Sequence, residues 1–413
     1  MLVAETDREV GPTDARPQIR GGTPSHLRSM NERAVLELVR VRGPLSRAQV
    51  ARDSGLSKPT VSQALSSLLG ARLVREVGRS SGSKGPSAIL YEINPSAGWV
   101  VGIDVGRRWV RAAIADITGD VVARRDERAQ VRSARSLIGQ IGSIAHGLAA
   151  EAGLRWNQVT HATLGSPGVF DPRRELMGMA PNLPGWGRQG IVEAVREHLG
   201  TNVTFENDVN LAALGEQARG HGRTLSDFVY LWIGTGVGIG IVLGGRLFRG
   251  SRGAAGEIGY LPIGADPRDK VNRRRGAFEE AVAADGIVRL ARELGMRGPT
   301  SAERVFTAAR RGDPIAARVV ETEARRLALG IATIAPVLDP EAVILGGGVS
   351  RSGDMLQRPI ERELHAISPF SPRVLVSGLG DDAVLYGAIA TALEAGRQEV
   401  FARTRVARTV QHA

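Results

Sequence analysis

The chain has 413 residues, 42% of them hydrophobic, with 52 glycines and 20 prolines, which is enough apolar material for more than one core. It contains no cysteine, which excludes a disulfide framework, a thiolate zinc site, an iron–sulfur cluster and a cysteine nucleophile. Lysine and arginine number 54 against 43 aspartates and glutamates, a formal charge of +11 that bears on nucleic acid only where it is concentrated.

Residues 1–24 mix acids, Arg, Pro and Gly without the apolar centre of a secretion signal, and read as a disordered polar arm. The longest apolar runs are strand-sized and broken by glycine, far short of the ~20 residues that span a bilayer. A cytoplasmic protein with no membrane partner is the expectation.

Residues 25–95 have the pattern of a winged helix-turn-helix. Val35, Leu36 and Val39 lie at helical spacing in a first helix over about 26–41. Ser46 is placed to cap a second helix, Arg47–Ser54, and Gly55-Leu56-Ser57 makes a tight turn. Ser57 then caps a third helix, where Pro59 is tolerated in the first turn. Val61, Leu65 and Leu68 form one apolar stripe of that helix, and Lys58, Thr60, Ser62, Gln63 and Ser66 form the opposite face. Short polar side chains of this kind reach base edges and phosphates from a helix in the major groove. Leu73–Val77 and Ala88–Ile93 predict a strand pair whose loop, Gly78–Ser87, holds Arg79 and Lys84 and no acid, as a wing would. Between residues 25 and 90, eleven basic side chains face four acidic ones. Double-stranded DNA is therefore the expected partner, contacted through Ser57, Lys58, Thr60, Ser62, Gln63, Arg79 and Lys84. A small helical domain for protein contacts is the alternative.

From Trp99 onward strands alternate with helices, which predicts an α/β body. Val100–Val105, Val110–Asp116 and Asp120–Ala123 predict an antiparallel meander. A helix follows near 134–152, then the strand 161–164 running into Gly165-Ser166-Pro167-Gly168. Phe228–Ile233 and Ala342–Leu345 open two further strand sets. Gly234–Gly240 has glycine at every second residue, which lets backbone N–H groups approach an anion or, within a strand, allows close packing. Residues 396–413 carry Arg397, Arg403, Arg405 and Arg408 and read as a frayed basic tail.

Ile233 through Gly238, then Gly253-Ala254-Ala255-Gly256-Glu257-Ile258-Gly259, preceded by Glu206-Asn207-Asp208, resembles the ROK family, which groups sugar kinases with transcriptional repressors. The resemblance covers essentially 25–395. It implies a two-lobed actin/hexokinase-like (ribonuclease H-like) body over 96–395 that binds a sugar or sugar phosphate between its lobes and dimerises. A homodimer or dimer of dimers is implied, with the head reading an operator near carbohydrate-metabolism genes. Carried over by position, the sugar contacts are Gly168, Asn182, Asn207, Asp208, Glu257, Tyr260 and Glu279, with Asp208 at the place of the kinase base. For each residue taken singly, a turn or solvated-surface role is the alternative.

The chain departs from the family kinases in three ways. Their Asp-x-Gly-Gly-Thr phosphate loop is here Asp104-Val105-Gly106-Arg107-Arg108, in which Arg107 puts a large side chain where phosphate needs none and Arg108 removes the hydroxyl. The family's zinc ligands fall on Tyr260, Lys270, Asn272 and Ala277, none of which offers a thiolate or imidazole. Tyr260 also replaces a sugar-contacting His. The expectation is a sugar-responsive regulator without catalysis, metal or cofactor, with an active sugar kinase fused to a DNA-binding head as the alternative.

Overall fold

The computed structural model describes residues 24–80, 87–178, 180, 183–298 and 300–411, with side chains described within 26–402. The N-terminal arm up to residue 23, Lys84 in the wing and Asn182 lie outside the described residues. Contacts divide the chain between Asn94 and Pro95 into two units.

The first unit runs α1 (Pro24–Arg42), β1 (Leu45–Ser46), α2 (Arg47–Ser54), α3 (Lys58–Gly70), β2 (Val74–Arg79) and β3 (Ile89–Ile93). Ser46 and Gln49 form a reciprocal capping box at the start of α2, and Gly55 takes φ 70° to end it. The Ser57 hydroxyl accepts the Thr60 N–H at the start of α3. Val35, Val39, Val50, Val61, Leu65 and Leu68 are buried together, so the apolar stripe read from the sequence is the packed face. β3 pairs antiparallel with β2 and also with β1, a two-residue strand too short to carry any periodicity.

The second unit opens with β4 (Trp99–Val105), β5 (Trp109–Asp116), β6 (Val121–Arg128), α4 (Ala134–Glu151), β7 (Val159–Ser166), β8 (Val169–Asp171), β9 (Leu176–Gly178), α5 (Ile191–Leu199), β10 (Asn202–Asn207) and α6 (Asp208–Arg219). It continues with β11 (Phe228–Ile233), β12 (Val237–Leu243), β13 (Arg246–Leu247), α7 (Lys270–Arg275), α8 (Ala277–Val282), α9 (Ala284–Glu293), α10 (Ala302–Arg310) and α11 (Pro314–Leu338). It ends with β14 (Ala342–Gly346), α12 (Gly353–Ile367), β15 (Arg373–Val376) and α13 (Ala383–Gln411). Among the described residues two five-stranded sheets form, ordered β10-β7-β4-β5-β6 and β13-β12-β11-β14-β15. α4 and α5 cover the outer face of the first sheet, and α8 to α12 cover that of the second. The inner faces are joined by α6, against β11 and β12, and by α13, against β4, β5 and β7.

α6 and α13 cross where both lack a side chain. A Cβ on Gly215 would overlap the Ala383 carbonyl, and one on Gly387 would overlap the Leu211 carbonyl. Glycine therefore sets the separation of the two helices, and through them of the two sheets.

One open alternative is decided and one expectation is corrected. Gly238 and Gly240 lie within β12, where the strand reading of Gly234–Gly240 holds, while Gly234 and Gly236 lie in the turn before it. A Cβ on Gly240 would stand 2.7 Å from the Val209 carbonyl and from the Ala213 side chain, so close approach of α6 to the strand is what requires a glycine there. Residues from 396 onward are not a frayed tail, because α13 runs on to Gln411. Its extension is anchored by Arg397, which donates to the Ile117 carbonyl, and by Glu399, which accepts from His161 at 2.7 Å and Asn202 at 2.9 Å. Among the described residues no helix is long and apolar enough to cross a membrane.

Gly387→Val should destabilise the body by about 1–3 kcal/mol or more, because the displaced carbonyl belongs to a packed helix. Gly139→Ala, in α4 where an added Cβ meets open space, should be neutral or stabilising by about 0.5–1 kcal/mol. Thermal or denaturant melts of the two variants check the contrast.

Candidate effector cleft and nucleic-acid interface

In the head, α3 turns Lys58, Gln63 and Ser66 outward, while Thr60 and Ser62 are partly covered. Ser57 is exposed but occupied, its Oγ 2.8 Å from Thr60 Oγ1 as well as capping the helix. Arg79 stands exposed at the end of β2, where Ser80 N–H to Ala88 O closes the neck of the hairpin. Neither Lys58 nor Arg79 has an ion-pair partner among the described residues, so both charges are available to phosphate.

In the body, the sequence-predicted residues gather at the N-terminus of α6. Asn207 is the N-cap: its Oδ1 accepts the N–H groups of Val209 (2.8 Å) and Asn210 (3.1 Å), and its Nδ2 donates to the Gly168 carbonyl at 2.9 Å. Both ends of that amide are thus used in building the site. Gly168 has φ 104°, and a Cβ there would overlap the Gly178 carbonyl, so the Ser-Pro-Gly turn demands glycine for its own geometry. Ser166 accepts the indole N–H of the fully buried Trp186 at 3.1 Å, which fixes the strand end that precedes the turn.

Asp208 heads α6 with its carboxylate on the Val209 N–H at 2.9 Å. Burial pushes its pKa up to about 6, with the charge of Glu257 adding to the effect. Burial also raises Glu257, with a further contribution from Glu279, and raises Glu279, which partly offsets this by accepting the Val237 N–H at 3.0 Å. Asp208, Glu257 and Glu279 therefore share one acidic floor. Tyr260 stands at its edge, 43% exposed, with its hydroxyl donating to the Arg274 carbonyl at 3.1 Å. Such a floor offers acceptors, and donors where protonated, to a ligand rich in hydroxyls.

The positions at which the family holds zinc do not suit a metal. Tyr260 and Asn272 each donate to a backbone carbonyl, of Arg274 and Asp266, and Ala277 is buried and apolar. Among the described residues no cluster of three or more His, Cys, Asp or Glu side chains is arranged to bind a metal ion.

The turn between β4 and β5 is closed by Gly106 N–H to Trp109 O, with the Arg107 and Arg108 side chains exposed. Beneath it lies a group that the sequence reading did not single out. Asp104 is buried and pushed up to about 7, chiefly by desolvation, opposed by Arg111 and reinforced by Asp208. Arg111 reaches Asp104 at 3.1 Å, Asp126 at 3.5 Å and Asp381 at 3.7 Å. Arg124 joins Asp126 to Asp382, and Arg351, after β14, pairs with Asp381. The hydrogen bond from Arg124 holds Asp126 below the usual carboxylate range. The signal for Asp104 and Arg111 was present, since they face each other in the hairpin register fixed by the turn.

A raised folded-state pKa means that the contribution of Asp208 to stability is fully present below its unfolded value near 4 and is lost as pH rises through about 6. Asp208→Asn should therefore be more stable than the parent by ~2 kcal/mol at pH 8, with the difference shrinking toward pH 4. Melts across that range measure it.

Comparison with known proteins agrees with this architecture. The ROK family pattern matches residues 100–395 and an IclR helix-turn-helix domain matches residues 34–78. The chain is 24% identical over 386 residues to a xylose repressor of Caldicellulosiruptor bescii, covering 89% of this chain and 96% of that protein. It is 31% identical over 312 residues to a glucokinase of Halalkalibacterium halodurans, covering 70% and 93%. A solved ROK family transcriptional regulator, a homolog of the E. coli MLC protein, superposes with a TM-score of 0.75 over 91% of this chain and 99% of that one, at 23% identity, a likeness of fold. With the family pattern spanning most of its length, the chain belongs to the ROK family, as a helix-turn-helix head joined to a sugar-kinase-like body.

Proposed function

We propose that the protein is a DNA-binding repressor of carbohydrate-metabolism genes that responds to a sugar or sugar phosphate bound on the Asp208–Glu257–Glu279 floor, without turning it over. One observation carries the reading. The chain joins a DNA-reading head to a sugar-kinase-like body whose phosphate turn bears Arg107 and Arg108 where the family kinases have Gly and Thr. A phosphate cradle needs backbone N–H groups unobstructed by side chains, and this turn spends the Gly106 N–H on Trp109. The similarity to repressors along nearly the whole chain favours the same reading. DNA as the partner implies a cytoplasmic site of action, and a two-fold operator implies a homodimer or dimer of dimers. Sugar alters DNA affinity only to the extent that it binds one arrangement of the body better than the other.

The kinase alternative is favoured by the raised pKa of Asp208, which suits a general base, and by the 31% identity to a glucokinase. A coupled ADP-release assay over a hexose, pentose and amino-sugar panel, with Asp208→Asn as control, separates the two. Turnover at ordinary enzymatic rates that is lost in the variant rejects the regulator-only reading.

Binding of the full-length protein to promoter fragments from its own locus, measured by fluorescence anisotropy with and without each sugar, tests the proposal directly. Xylose heads the panel, since the matched repressors are named for it. Arg79→Ala should weaken binding to all fragments alike and lower the slope of log affinity against log salt by about one. Glu257→Gln should leave DNA affinity without sugar unchanged and abolish the sugar response. Glu257 is the better probe than Asn207, whose loss would also remove the α6 cap at a cost of about 1 kcal/mol.

A further inference from the structure

Glu257 follows a segment with few anchors of its own. Residues 248–256 read Phe-Arg-Gly-Ser-Arg-Gly-Ala-Ala-Gly, and Gly250, Gly253 and Gly256 all have positive φ, at 70°, 75° and 99°. Main-chain bonds fasten its two ends, Phe248 N–H to Ile241 O and Ile239 N–H to Gly256 O, and one closes it on itself, Ala255 N–H to Arg249 O. Between those ends it leaves the second sheet and reaches the first lobe, where a Cβ on Gly253 would stand 3.1 Å from the Phe170 carbonyl of β8.

The side-chain tie across this approach is an ion pair. Arg249 Nε donates to Glu206 Oε2 at 2.7 Å. Glu206 lies one residue before the end of β10 in the first lobe and is buried at 7% exposure, while Arg249 is half exposed. The other carboxylate oxygen of Glu206 accepts the Asn207 N–H at 3.0 Å and Asn210 Nδ2 at 2.9 Å. One buried carboxylate thus holds the first turn of α6, which carries Asp208, and the glycine-rich segment that leads into Glu257. Glycines allow the segment many conformations, so a charge-assisted bond on a fixed carboxylate selects among them far more than it would in a stiff loop. Removing Arg249 leaves Glu206 with a desolvated oxygen and no counter-charge, which favours rearrangement of the segment.

We infer that Arg249 is a positioning residue of the effector cleft: its ion pair with Glu206 clamps residues 248–256 onto the opposite lobe and holds Glu257 beside Asp208. The role in ligand binding rests on the cleft being the sugar site, whereas the clamp itself is independent of any ligand.

The full-length protein and its Arg249→Ala, Arg249→Lys and Glu206→Gln variants are compared by two measurements. The first is amide hydrogen exchange without ligand. Peptides covering 248–257 should exchange about tenfold faster in Arg249→Ala and Glu206→Gln and less so in Arg249→Lys, with the helices at the α6–α13 crossing unchanged. The second is calorimetric titration with xylose and the monosaccharide panel. Affinity should fall about tenfold in Arg249→Ala and recover in part in Arg249→Lys. The Arg249→Ala, Glu206→Gln double variant should be no weaker than either single one, because both remove the same contact. Unchanged exchange of 248–257 in Arg249→Ala overturns the clamp. Parental sugar affinity in that variant, or losses that multiply in the double variant, overturns the positioning role alone. A parent protein blind to every sugar, with exchange of the segment still raised in Arg249→Ala, overturns the sugar reading and the positioning role with it.

Discussion

The body is organised by the place where α6 and α13 cross. Gly215 and Gly387 remove the side chains that would separate the two helices, and each helix carries one sheet on its other face. The separation of the sheets is therefore fixed by backbone-to-backbone contact, which has little room to relax. α6 begins at the floor of the cleft, so the position of Asp208 is inherited from that crossing together with the Asn207 and Glu206 bonds that hold its first turn. Gly240 extends the principle by letting the start of α6 settle onto β12. Gly240, which in the sequence fits a ligand loop or a packed strand equally well, thus places the helix that begins with Asp208.

The carboxylates on this scaffold oppose folding. Asp104, Asp208, Glu257 and Glu279 are each raised mainly by desolvation, and neighbouring members of the series raise one another. Buried carboxylates that weaken the fold where charge accumulates gain from a ligand whose hydroxyls supply hydrogen bonds the protein leaves unmade. At the other end of the series the protein supplies its own counter-charge. Arg111 sits on Asp104 and reaches Asp381, which also meets Arg351 beyond β14. The side of the cleft beneath the Gly106–Arg108 turn is held by close ion pairs between side chains, while on the Asp208 side Glu279 has a longer ion pair, to Arg275 at 3.8 Å, and Asp208 meets the Val209 N–H.

How much of this was legible in the sequence follows the range of each interaction. Elements of the head could be read because caps and apolar stripes act within one or two turns: Ser46 with Gln49, Ser57 with Thr60, and Val61 with Leu65 and Leu68. Asp208, Glu257 and Glu279 could be named from family resemblance, and the structure brings them to one floor. Asn207 could be named but not weighed, because its bond to Gly168 joins positions 39 residues apart. The glycines of β12 were ambiguous, since a strand and a loop both accept glycine and only the neighbouring helix decides between them. The end of the chain was misread because Arg397 and Glu399 look solvated until Ile117, His161 and Asn202 are placed beside them.

Sensing and transfer make separable demands on such a fold. On the proposed reading, transfer needs a hairpin turn whose backbone is bare toward phosphate; in the turn between β4 and β5, residues 106–108 can change without disturbing either strand, since Val105 still pairs with Val110. Sensing needs the floor at the start of α6 and the segment leading to Glu257, both fixed by the α6–α13 crossing and by Glu206. The first requirement is local and cheaply altered; the second is built into the packing of the whole body. On that reading, two arginines in the turn remove a phosphate cradle while the carboxylates near the start of α6 stay, because the turn is supported neither by the α6–α13 crossing nor by Glu206.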